Sequence, residues 1–139
     1  MIVGILIIAS ATGCASGLTA TETLDQTLHY FHHHLVAGDI ERAHAYVSSA
    51  ALEDFRSLHD PEKNLNLLVE FSVLTVTPVP MPKDDLRKQA VAIVAAQVRR
   101  DDSITIRKVR YRQLWERSGD RWMLLEESLA EPGRGDDFR

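Results

Sequence analysis

With a single cysteine, Cys14, among 139 residues, the chain can form no internal disulfide, and its stability has to come from a core. No apolar run approaches the roughly 20 residues a helix needs to cross a bilayer. No glycine-rich phosphate loop, nucleophile elbow or Ser/His/Asp spacing occurs, which disfavours nucleotide-dependent and hydrolytic chemistry. Neither sign of charge prevails: 16 Lys+Arg against 20 Asp+Glu give a net charge of −4, too mild for a nucleic-acid binder or an acidic tail. What is present is 45% hydrophobic and 26% charged residues, the composition of one ordinary globular domain. A chain this long buries roughly two-thirds of its unfolded surface, so it needs no metal to fold.

Ile2 to Ala9 is a continuous hydrophobic block, followed by the small run Ser10, Ala11, Thr12, Gly13 and then Cys14. Its length suits the apolar region of an export signal rather than a membrane helix. The segment Ala11-Thr12-Gly13-Cys14 resembles the lipobox of bacterial lipoproteins. That resemblance implies cleavage after residue 13, a lipid on Cys14 and attachment to the cell envelope. Ala15 stands where inner-membrane retention signals carry Asp, which points to the periplasmic face of the outer membrane. The expected organisation is a signal peptide over 1–13, a tether over 14–20, a folded domain over 21–129 and a mobile tail over 130–139.

Helical periodicity begins past the tether. Thr21 or Thr23 can cap, and Leu24, Leu28, Phe31 and Leu35 form one apolar stripe. Gly38 supplies a stop and Asp39 the next N-cap. A second helix is expected from about Ile40 with Ala43 and Val47 inward, and a third carries Leu52, Phe55 and Leu58 up to Asp60-Pro61. The period then changes to two. Val69, Phe71 and Val73 alternate with Glu70 and Ser72; Val91 to Val98 is a Val/Ala run; Ile104 and Ile106 begin another strand; Val109–Glu116 and Arg121–Leu129 flank Ser118-Gly119-Asp120, a tight hairpin turn. Pro78, Pro80 and Pro82 consign 79–85 to an edge excursion or loop. These elements give an α+β fold, two to three N-terminal helices packed on a curved antiparallel sheet of about four strands.

The helix ending in Ala37-Gly38-Asp39, the helix after it and the hairpin Trp115-Glu116-Arg117-Ser118-Gly119-Asp120-Arg121-Trp122-Met123-Leu124 resemble the nuclear transport factor 2-like superfamily, across most of residues 21–129. The resemblance implies a pocket between the helix stripe and the concave sheet face, with Phe31, Leu35, Tyr111, Trp115, Trp122 and Leu124 expected to line it and a small apolar ligand as occupant. Isomerase-type members place a tyrosine hydroxyl two turns ahead of the Gly-Asp pair; here that position is Phe31. A two-residue turn at Gly119-Asp120 sets Gln113 opposite Glu126 and Tyr111 opposite Ser128, so an enzyme of isomerase or dehydratase type, using Glu126 with Tyr111, is the alternative to a non-catalytic binding domain.

Four of the six histidines, His29, His32, His33 and His34, fall in the first helix. Only His29 and His33, at i and i+4, share a side, and the apolar stripe lies nearly opposite them, so no metal site and no cofactor are expected. The charge is uneven. Residues 83–117 carry ten bases and five acids, whereas 21–70 carry nine acids and three bases. Lys108, Arg110 and Arg112 alternate with Val109 and Tyr111 and share one strand face, a candidate docking surface for an acidic protein partner, with Arg112 set against Glu127 across the hairpin. A second copy of the chain is a further candidate partner.

Overall fold

In a computed structural model, residues 22–63, 66–100 and 102–130 are described; the signal, tether and Cys14 readings, and the tail from 131 onward, lie outside them. Helix α1 spans Leu24–Val36 and opens on a capping box: the Thr23 hydroxyl accepts from the Gln26 N–H, and the Gln26 side chain accepts from the Thr23 N–H. It closes at Gly38, whose φ of +74° lets the Gly38 and Asp39 N–H groups turn back onto the Leu35 and His34 carbonyls. Asp39 then caps α2, Ile40–His44, through the Arg42 N–H. This helix is shorter than expected. Val47 instead makes a parallel bridge with Leu124, because the chain leaving α2 is held to the sheet by Leu124 N–H to the Tyr46 carbonyl and Ser48 N–H to the Leu124 carbonyl. A short 3-10 turn, Ser49–Ala51, leads into α3, Leu52–His59.

Four strands follow, β1 Asn66–Pro78, β2 Gln89–Arg100, β3 Ile106–Ser118 and β4 Arg121–Leu129, paired antiparallel in chain order. The fold is thus three helices N-terminal to one curved antiparallel sheet, the α+β arrangement the sequence predicts. β2 shows why the helices can lie close: its inward positions Ala90, Ala92, Val94, Ala96 and Val98 are all buried and all small. Against them pack Leu28, Phe31 and Leu35 from α1 and Phe55 from α3, with the Phe31 ring edge-on to Trp115 at 5.3 Å between centroids.

In the sheet, three details differ from the sequence reading. The ladder of β1 is broken by bulges at Val69 and Leu74, so Val69 is exposed while Phe71 and Val73 pair with Ala96 and Val94 and pack on the core. β3 begins at Ile106, leaving Ile104 94% exposed in the preceding turn. The third is the hairpin. Its turn is the two-residue Gly119-Asp120, with positive φ at Gly119 alone and Ser118 opposite Arg121. Yet Leu125 is an extra residue: Trp115 faces Leu124, and Leu114 then faces Glu126. Beyond that bulge, Gln113 pairs with Glu127 and Tyr111 with Leu129. A shift of one residue exchanges the two faces of a strand, so Glu127 turns inward and Glu126 outward. The expected pairs Gln113–Glu126, Tyr111–Ser128 and Arg112–Glu127 are therefore not formed; Arg112 faces Ser128.

Candidate functional site

The bulge aims a carboxylate of β4 into the core, where α3 and β3 supply its partners and α1 joins through Gln113. Glu127 on β4 accepts from His59 Nε2 of α3 at 2.6 Å and from Gln113 Nε2 of β3 at 2.5 Å. The other hydrogen of the Gln113 amide goes to His32 Nε2 of α1 at 3.0 Å, and the Gln113 carbonyl oxygen accepts from Trp115 Nε1 at 3.2 Å. His32 Nδ1 lies 2.7 Å from the Leu28 carbonyl, which can only accept, so the proton sits on Nδ1 and Nε2 is free to receive Gln113. Every polar atom of Gln113 is thereby engaged. All five side chains are buried, and a polar group is tolerated in a core only when it is bonded.

The electrostatics agree with this wiring. Burial drives the His32 pKa down to about 4, with the Leu28 hydrogen bond and the Glu127 charge opposing only in part, so the ring is neutral at neutral pH. For Glu127, burial raises the pKa, but the charge and hydrogen bond of His59 and the hydrogen bond of Gln113 prevail and hold it below the usual carboxylate value. The Tyr111 phenol, beside His59 at 5.4 Å between ring centroids, is pushed up, first by burial and then by the Glu127 charge. Rings pack against both histidines: Phe55 lies 5.3 Å and Phe31 6.4 Å from His59, and Phe71 stacks on His32 at 4.9 Å. The Glu127–His59 pair ties α3 to β4, and Gln113 of β3 carries the link on to His32 of α1.

The residues singled out from sequence are distributed as follows. Phe31, Leu35, Tyr111, Trp115 and Leu124 lie between helices and sheet as buried core. Glu126 is exposed on the outer face, away from the buried Tyr111, so the proposed pair of Glu126 with Tyr111 is not assembled. His29 and His33 stack on each other, exposed, with ring centroids 6.0 Å apart. Lys108, Arg110 and Arg112 share the outer face of β3, opposite Gln97, Ala95 and Ile93 of β2. His32, His59 and Glu127 were missed. The signal was there for the histidines: His32 lies four residues after Leu28 and His59 four after Phe55, about 40° round a helix from residues already read as inward.

An open space lies elsewhere, at the end of the sheet where β1 finishes and β2 and β4 begin. It is a partly open cavity of about 400 Å³. Leu24 at the start of α1, Val76 and Pro78 of β1, Ala90 of β2 and Trp122 of β4 form an apolar wall, continued by Val79 and Met81 of the following loop. Arg87, Lys88 and Gln89 give the lining its polar part. Of the expected pocket residues, Trp122 is the one that reaches it.

No family model matches the chain, and no curated protein matches it. Among solved structures it is similar to a domain described as a Ca/calmodulin-dependent kinase II association domain from Exiguobacterium sibiricum, with 16% identity and a TM-score of 0.56 over 78% of this chain and 92% of that one. It is also similar to the intermembrane-space region of the chloroplast protein ARC6, at 16% identity and a TM-score of 0.49, covering 81% of this chain and 97% of that one. The first likeness shows the fold, and it is consistent with the nuclear transport factor 2-like arrangement of helices on a curved sheet.

Proposed function

We propose that the chain is a lipid-anchored cell-envelope protein whose domain binds a small apolar ligand and carries out no chemistry on it. The cavity at the end of the sheet carries the reading. Its 400 Å³ falls in the roughly 300–1,000 Å³ range of small-molecule sites, and its wall is mainly apolar with a few polar groups at one side. The anchor fits the same geometry. Leu24, which lines the cavity, follows Cys14 by ten residues, so a lipid on Cys14 keeps the cavity within about 35 Å of the attachment point. The lipobox resemblance, with Ala15 after the cysteine, supports the periplasmic face of the outer membrane.

The test is a titration of the purified domain with decanol, read by the fluorescence of Trp122 and by calorimetry. Saturable binding that Val76→Trp abolishes, by filling the space, is the expected result. No saturable binding, or binding that Val76→Trp leaves intact, removes the proposal. A second reading, an acidic protein partner on the outer sheet face, is favoured by the three cations that share that face. Reversing Lys108, Arg110 and Arg112 to Glu together is then expected to abolish capture of that partner while leaving a folded protein. A second copy of the chain as partner would show instead as a dimer in sedimentation.

A further inference from the structure

The cavity's polar side is not neutral in what it asks of a ligand. Arg87 is already paired: its Nη2 lies 2.6 Å from Asp85 Oδ2 and its Nε 3.0 Å from Asp85 Oδ1, a fork that sets a carboxylate against the guanidinium charge. Gln89 is also committed, donating from Nε2 to Glu116 Oε2 at 2.6 Å. Lys88 is different. Among the described residues no carboxylate lies within ion-pair distance of its ammonium. Its backbone carbonyl accepts from the Arg117 N–H at 2.8 Å, which extends the β2–β3 ladder past Gln89. Strand alternation then puts Lys88 on the same side as Ala90, the concave side on which the cavity opens. Its methylene stem extends the apolar wall, and its head remains a point charge at the polar rim.

Resting on the ligand-binding reading above, we infer that the occupant is a single-chain amphiphile with a small anionic headgroup, its alkyl chain against Leu24, Val76 and Trp122 and its head on Lys88. Size agrees with one chain. At about 30 Å³ for a group as large as a water or a methylene, 400 Å³ holds on the order of a dozen such groups, enough for one medium-length alkyl chain and too little for two long ones. Charge selects the anion. A carboxylate replaces the water on the Lys88 ammonium with a charge-assisted bond, whereas an alcohol offers a weaker neutral one and a cation meets repulsion.

The experiment titrates the full chain with decanoate, decanol and decyltrimethylammonium at equal chain length and below their micellar concentrations, against wild type, Lys88→Gln and Arg87→Gln. Lys88 is exposed, so neither it nor its neighbour is needed for folding. Decanoate is expected to bind about tenfold more tightly than decanol, the preference is expected to vanish in Lys88→Gln through weaker decanoate binding alone, and Arg87→Gln is expected to keep it. Equal binding of decanoate and decanol, or a preference for the ammonium amphiphile, overturns the inference and leaves a neutral or cationic apolar ligand in the same cavity. A preference lost in Arg87→Gln and kept in Lys88→Gln overturns the assignment to Lys88. Failure of all three probes overturns the ligand-binding reading and this inference with it.

Discussion

Replacing Glu127 by alanine leaves two hydrogen-bond donors facing nothing in the core: the His59 Nε2–H, now 2.6 Å from its partner, and the Gln113 Nε2–H, now at 2.5 Å. An unmet buried donor costs about 1–3 kcal/mol, and removing one member of a buried charged pair typically costs about 3–5 kcal/mol in all. The two routes agree on a loss of about 3–5 kcal/mol, a large share of the roughly 5–15 kcal/mol that holds a domain together. At about 4–8 °C per kcal/mol for a small domain, the melting temperature should fall by roughly 15 °C or more. The assay is urea unfolding near pH 7, followed by tryptophan fluorescence, for Glu127→Ala, His59→Ala and the double variant, with Glu126→Ala as control. Glu126 is exposed and its loss should cost within about 0.5 kcal/mol. Once Glu127 is gone, losing His59 as well should cost less than it does alone, giving a coupling of about 1–3 kcal/mol. A Glu127→Ala loss below about 1 kcal/mol, or a larger loss for Glu126→Ala, would refute the bulged register and the network built on it.

His32 makes the domain acid-sensitive. Its pKa falls from 6.5 in the unfolded chain to about 4 in the fold, so below pH 6.5 the unfolded state takes up the proton first and stability declines as pH falls. The contribution is complete above pH 6.5 and lost by about pH 4, on the order of 3 kcal/mol. Melting curves across this window should slope for wild type and flatten for His32→Gln; an equal slope in both sinks the assignment. Phe31→Ala empties a fully buried ring site against Trp115 and should cost about 3–5 kcal/mol by chemical denaturation; a loss under about 1 kcal/mol contradicts the packing of α1 on the sheet. Cys14→Ser, expressed in a bacterium with two membranes, should move the protein out of the lipid-modified membrane fraction, and unchanged membrane attachment with a lipid mass elsewhere would end the lipoprotein reading.

The parts of this protein set by local chemistry were legible in its sequence. The α1 stripe, the Gly38 stop with its Asp39 cap, the Val/Ala run of β2 and the Gly119-Asp120 turn each depend on a residue and its near neighbours, and each is present in the fold. The same locality explains the placement of Lys108, Arg110 and Arg112 on one strand face. What only the tertiary structure decided is how those pieces register. Leu125 carries no mark of a bulge, since an extra residue is tolerated wherever the two strands twist, yet it alone determines that Glu127 and not Glu126 enters the core. His32 and His59 read as helix-face polar residues until an amide and a carboxylate, 81 and 68 residues away, arrive to bond them. The cavity, too, follows from where β1 ends at its prolines relative to the starts of α1, β2 and β4, a meeting of segments far apart in the chain. Burial makes a polar side chain depend on partners from distant elements, and no periodicity within one element encodes those partners.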